Sequence, residues 1–149
     1  MKKIALIGST GSIGKQTLSV VRRHSDKFKI VSLAAGNNVG EFLSQVKEFS
    51  PKVASLAVEP QSVKDSKIKD TEFFFGEDAF KNAIIDDADI VVVALVGFKG
   101  IVAVLDAIEK GKDMALANKE SLVVGGELAG RLRCFLRVIF PKKLIKSMK

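Results

Sequence analysis

Ile4-Ala5-Leu6-Ile7 runs directly into Gly8-Ser9-Thr10-Gly11-Ser12-Ile13-Gly14, and this order of apolar run, glycine turn and further chain decides the fold. A short buried strand delivers a tight turn, and the next helix aims its unpaired N–H groups and positive dipole end at an anion. The glycines fall at G-x-x-G-x-x-G, one residue wider than the usual G-x-G-x-x-G, so the turn predicts a phosphate cradle without selecting one cofactor. An ATP-type P-loop needs G-x-x-x-x-G-K-[ST]. Counting back from Gly14-Lys15 puts Ser9 where the first glycine belongs, and Gln16 stands in place of the hydroxyl. That alternative fails at two positions.

Outward from the turn, strand and helix patterns alternate. Lys3 to Ile7 reads as a strand, and Ser12 to His24 as a helix with Ile13, Thr17, Leu18, Val20 and Val21 facing inward. Lys29 to Ala35 is a second strand, Val39 to Phe49 a helix stopped by Pro51, and Lys52 to Val58 a third strand. A short helix at Ser62 to Lys67, a strand at Glu72 to Phe75 and a helix at Gly76 to Ile85 follow. Ala88 to Leu95 is apolar nearly throughout, as expected of a central parallel strand buried on both faces. Phe98 to Glu109 is a helix closed by Gly111, and Asp113 to Ala117 a last strand. The expected fold class is α/β, a doubly wound, mostly parallel sheet in a Rossmann-like dinucleotide-binding domain over residues 1–128, with ligand at the carboxyl ends of the strands. For Gly97 and Gly100, helix packing and cofactor contact are equally good readings.

Composition narrows the function classes. The 149 residues make one domain with room for a core, and no apolar run is long enough to span a bilayer. Lys2-Lys3 precedes an apolar stretch as in a signal peptide, but that stretch ends at Gly8. The single cysteine, Cys134, excludes an internal disulfide, and a cytoplasmic location is the default expectation. The formal charge of +7 is concentrated in Arg131, Arg133, Arg137, Lys142, Lys143, Lys146 and Lys149, with no acid after Glu127. The body before them is balanced and offers no basic field for a nucleic acid. Residues 132–140 wind apolar groups around the whole helical circumference, which is no membrane-binding face. Neither a nucleic-acid nor a membrane partner is expected; were the tail exposed, Phe135, Ile139 and Phe140 would favour association. His24, late in the first helix, reads as a charge near a helix C-terminus.

An NAD-specific fold places Asp or Glu about 20 residues beyond the glycines to bind the ribose 2′-hydroxyl. Here Ala35-Gly36-Asn37-Asn38 occupies that place, and the nearest acid, Glu41, belongs to the next helix. The pattern tilts toward NADPH, although no arginine is present to clamp the 2′-phosphate. Short-chain dehydrogenases use a catalytic tyrosine, which this chain lacks, and semialdehyde dehydrogenases a cysteine, found here only in the tail.

The turn, Ala35-Gly36-Asn37-Asn38-Val39, Glu48-Phe49-Ser50-Pro51 and Leu116-Ala117-Asn118-Lys119-Glu120-Ser121-Leu122-Val123 together resemble the N-terminal part of the 1-deoxy-D-xylulose 5-phosphate reductoisomerase family. The resemblance implies an NADPH-dependent oxidoreductase of isoprenoid biosynthesis, forming 2-C-methyl-D-erythritol 4-phosphate from a phosphorylated sugar. It implies that Thr10, Gly11, Ser12 and Ile13 hold the pyrophosphate and adjoining ribose, with Gly36, Asn37 and Asn38 around the adenosine 2′-phosphate. Family members often carry a basic or hydroxyl side chain where Asn37 stands. Asn118 and Glu120 are implied at the nicotinamide end, and Lys119 at the substrate, where a cation could pair with a developing oxyanion.

In the family the chain continues into a catalytic domain that binds a divalent metal, magnesium or manganese, and family homodimers rely largely on those further parts. After Leu128 this sequence turns basic and ends without another acid, so no carboxylates for a hard cation are available there. The expectation is a truncated or frameshifted reductoisomerase product, inactive alone, with residues 129–149 a basic non-family tail. A freestanding nucleotide-binding module tethered by that tail to an acidic partner is the alternative from another class.

Overall fold

A computed structural model describes residues 1–64 and 68–116, with no side-chain description of Lys64. The elements run β1 (Lys2–Ile7), α1 (Ser12–Arg23), β2 (Phe28–Ala35), α2 (Val39–Phe49), β3 (Val53–Leu56), α3 (Gln61–Lys64) and β4 (Glu72–Phe75). A 3₁₀ turn (Ala79–Ala83), β5 (Ile90–Val93), α4 (Gly97–Glu109) and β6 (Asp113–Leu116) complete the described chain. The six strands are all parallel in the order β4-β3-β2-β1-β5-β6. Winding proceeds outward from β1 to β4, then returns to β5 on the other side of β1. The topological switch point therefore lies between β1 and β5, where such sheets bind ligands.

Alternate side chains of each central strand enter different cores. Ile4 and Leu6 join Leu18 and Val21 of α1 and Phe42 and Val46 of α2. Ala5 and Ile7 meet Phe80, Ile84 and the α4 residues Ala103, Val104, Ala107 and Ile108. Burial on both faces is why β1 and β5 read as unbroken apolar runs.

Several expected boundaries and faces change for local reasons. β3 stops at Leu56 because β2 ends, and the Ala57 N–H turns to Ala35 O and Gly36 O at 3.2 and 3.3 Å. β5 is confined to the four residues paired with β6, and Ala94, whose N–H still donates to Ile7 O at 2.8 Å, leads with Leu95 into the loop above the sheet. The expected helix over 76–85 contracts to one 3₁₀ turn. Gly76 adopts φ 115°, Phe80 and Ala83 align at the i, i+3 spacing of that helix, and Ser32 Oγ–H donates to Ala83 O. In α1 the buried stripe is Gly14, Leu18 and Val21, so Ile13 and Val20, expected inward, are 41% and 42% exposed. Close seating of Gly14 fixes that rotation and leaves Ile13 at the surface. His24 caps the exposed C-terminal end of α1. Among the described residues no helix is long and apolar enough to cross a membrane.

At the opposite, amino-terminal edge of the sheet, Asp87 joins two segments. Its carboxylate meets Lys3 Nζ at 2.5 Å and Lys52 Nζ at 2.7 Å. Hydrogen bonds from Lys3 and then Lys52 hold its pKa at about 2, below the ordinary 3.8. A depressed carboxylate pKa adds stability above the unfolded value and loses it as pH falls through the folded one. Asp87→Asn should therefore lower the urea midpoint at pH 7, and the difference from the parent chain should disappear between pH 4 and pH 2. A gap that persists at pH 2 would refute the assignment.

Candidate functional site

Three glycines build the turn after β1, each for a different reason. Gly8 has φ 97°, and a methyl group there would lie 2.8 Å from Ala94 O, so side chains are excluded both by conformation and by the β5 loop. Gly14 lies over the turn itself: a methyl group would stand 2.2 Å from Gly8 O and 2.6 Å from Ser9 O. Gly11 is exposed, extended at φ −76° and ψ 170°, with its nearest would-be contact at 3.5 Å. The first glycine permits the turn and the third permits helix and strand to touch, whereas the second leaves space at the surface where a ligand can approach.

The start of α1 is open. Its cap residue Gly11 offers no side-chain oxygen, and no acid occupies the first turn. The Gly11 N–H is used internally, donating to Gly8 O at 3.3 Å, so the anion-facing donors are those that follow it, from Ser12 onward. By contrast α2 is capped: Asn38 Oδ1 accepts the Glu41 N–H at 3.4 Å and Asn38 Nδ2 donates to Glu41 Oε2 at 2.9 Å. Of two neighbouring helix starts, one is closed by its own sequence and one is left uncapped.

Thr10, Gly11, Ser12 and Ile13 lie together on the turn and first helical residues, and Gly36, Asn37 and Asn38 follow β2, the strand beside β1. Gly11, Ser12, Ile13 and the three residues after β2 are exposed, and Thr10 is half-buried. Asn118, Lys119 and Glu120 lie outside the described residues, as do residues 129–149. Of the two α4 glycines, Gly97 is exposed with φ 69°, and Gly100 is buried against the core.

A shallow apolar cleft opens at the carboxyl ends of these strands, bounded by Gly8, Ala35, Gly36, Ala57, Phe80 and Leu95, with Glu77 and Lys99 at its edge. Sequence reading missed Ala57, Glu77, Phe80 and Lys99, because they come from segments far apart along the chain. Val96 and Phe98 flank Gly97 and stand 80% and 77% exposed beside the switch point.

The turn is also held from behind. Gln45 breaks the apolar face of α2, is buried, and donates from Nε2 to Ser9 O at 3.1 Å. A glutamine facing the core of an otherwise apolar stripe was the available signal. Gln45→Leu should lower stability by about 1–3 kcal/mol, because it strips a buried carbonyl of its donor. Urea denaturation checks this, and an unchanged midpoint would refute it. Among the described residues no group of three or more His, Cys, Asp or Glu could hold a metal ion.

Comparison with known proteins matches this chain to one family. The sequence model of 1-deoxy-D-xylulose 5-phosphate reductoisomerase matches residues 4–126. The reductoisomerase of Clostridium kluyveri is 42% identical over 148 residues, covering 95% of this chain and 38% of its own. A solved reductoisomerase in complex with magnesium superposes with a TM-score of 0.82 at 32% identity, covering 93% of this chain and 36% of that one. The Zymomonas mobilis reductoisomerase in complex with NADPH gives a TM-score of 0.73 at 37% identity, covering 85% of this chain and 34% of that one. The chain thus spans little more than a third of the length of the relatives it matches.

Proposed function

Since this chain belongs to the 1-deoxy-D-xylulose 5-phosphate reductoisomerase family, we propose that it supplies the NADPH-binding part of such an enzyme. The observation that carries the reading is the open start of α1, set by Gly11 at the switch point of a parallel sheet. Thr10, Gly11, Ser12 and Ile13 would receive the pyrophosphate and adjoining ribose, and Gly36, Asn37 and Asn38 the adenosine 2′-phosphate. The apolar cleft beside Gly36 would take an aromatic base. Asn118 and Glu120 are proposed at the nicotinamide end and Lys119 at the phosphorylated sugar.

The donor set suits a dinucleotide: backbone N–H groups and a helix dipole for the diphosphate, small residues where backbone must approach it closely. Bound there, NADPH supplies hydride for reduction of an aldehyde carbon. The residues of this chain bind and orient it. Among the described residues no carboxylate cluster offers a place for a divalent metal. Conversion of 1-deoxy-D-xylulose 5-phosphate is accordingly proposed for the family enzyme as a whole, with no turnover expected from this chain alone. A cytoplasmic location belongs to the same proposal. The family match ending at residue 126 supports a dinucleotide-binding unit over 1–128.

Titration of the purified chain with NADPH and NADH, followed by reduced-nicotinamide fluorescence, tests the reading. Saturable NADPH binding, weaker for NADH, is expected. A chain folded by circular dichroism that binds neither would overturn it.

A further inference from the structure

Lys15, the last residue of the first turn of α1, reaches across to α2, where its Nζ lies 2.9 Å from Glu41 Oε1. The other oxygen of the same carboxylate accepts Asn38 Nδ2 at 2.9 Å. One carboxylate therefore links the helix behind the phosphate turn to the residues after β2, and both its oxygens are engaged. An acid beside the end of the second strand ordinarily accepts the ribose 2′-hydroxyls and repels a 2′-phosphate. Here no acid stands at that place, the nearest, Glu41 in α2, is covered by an ammonium and an amide, and Asn37 contributes no charge. The Lys15 side chain is half exposed on a flexible stem, so it can leave Glu41 for a stronger anion without desolvation.

We propose that Lys15 is the cation that recognises the adenosine 2′-phosphate and so sets preference for NADPH over NADH, with Glu41 and Asn38 positioning it when the site is empty. The proposal rests on the cofactor reading above. A phosphate dianion outcompetes a single carboxylate for the ammonium, and Glu41 then falls back on Asn38 and the start of α2, where a negative charge is favoured.

The test measures dissociation constants of NADPH and NADH for the full chain and for Lys15→Gln, Lys15→Arg and Glu41→Gln. Lys15→Gln should lower the NADPH-to-NADH affinity ratio about tenfold, with the difference shrinking as salt screens the charges. Lys15→Arg should retain the ratio. Glu41→Gln should raise it about threefold, because a competing negative charge is gone. A merely structural ion pair would move the ratio the same way from either end. A ratio that Lys15→Gln leaves unchanged, or that both charge-removing variants move in one direction, overturns the inference while the cofactor reading stands. A folded parent chain that binds neither cofactor overturns both.

Discussion

Alanine at position 14 is expected to remove a large share of the stability of this chain. Glycine to alanine inside a helix normally stabilises by about 1 kcal/mol. Here the sign reverses, because the new methyl group would lie 2.2 Å from Gly8 O and 2.6 Å from Ser9 O, backbone atoms of a turn that is fixed on its other side. Gly8 and Ser9 both donate to Ala34 O, at 2.8 and 2.9 Å, and Gly8 is also pressed against Ala94. The turn cannot retreat, so α1 must lift and uncover Leu18 and Val21. The cost should reach about 3 kcal/mol or more, against a total stability of about 5–15 kcal/mol for a domain of this size. Gly40→Ala provides the comparison: it also lies in a helix, has nothing within 4 Å of the added methyl group, and should gain a few tenths to about 1 kcal/mol. Urea unfolding of the three chains decides the matter. Equal midpoints for Gly14→Ala and the parent would mean that helix and turn do not touch as described.

Aspartate at position 11 should separate folding from binding. The site accepts a side chain, with extended backbone and its nearest contact at 3.5 Å, and aspartate is among the best residues to cap a helix start. Stability should therefore hold or rise by about 1 kcal/mol. NADPH affinity should fall at least about 100-fold, or about 2.7 kcal/mol, because the new carboxylate takes the same N–H groups as the pyrophosphate and repels it. The pairing of a stabilised fold with lost binding is the informative outcome. Unimpaired binding by Gly11→Asp would show that the start of α1 is not where the dinucleotide sits. Loss of folding instead would show that Gly11 serves packing, as Gly14 does.

The extent to which these features were legible beforehand follows from the range of the forces involved. Strand Glu72–Phe75 and helix Val39–Phe49 have the bounds their residue patterns predict. The alternation of strands and helices, the parallel sheet and the phosphate turn all depend on local periodicity and on glycine conformation, both of which are written in consecutive residues. Ile13 and Val20 show where local reading stops. Both fit an apolar helical face, but the rotation of α1 is set by Gly14 against Gly8 and Ser9, a contact between elements. The helix expected over 76–85 fails for a related reason, since Ser32 and the core around Phe80 accept a single 3₁₀ turn there.

The amino-acid sequence by itself determined the doubly wound class, the position of the glycine turn and the family, because each rests on spacing within a short run of chain. Only the tertiary structure decided which glycine serves conformation, ligand access or packing, that α1 starts open while α2 is capped, and that Gln45 supports the turn. The pairing of Lys15 with Glu41 and the apolar cleft between Gly36 and Phe80 belong to the same class. Apart from the local Asn38–Glu41 cap, each of these joins residues from different elements, and steric exclusion and hydrogen bonding act over a few ångströms of space, a proximity that folding creates and sequence separation conceals.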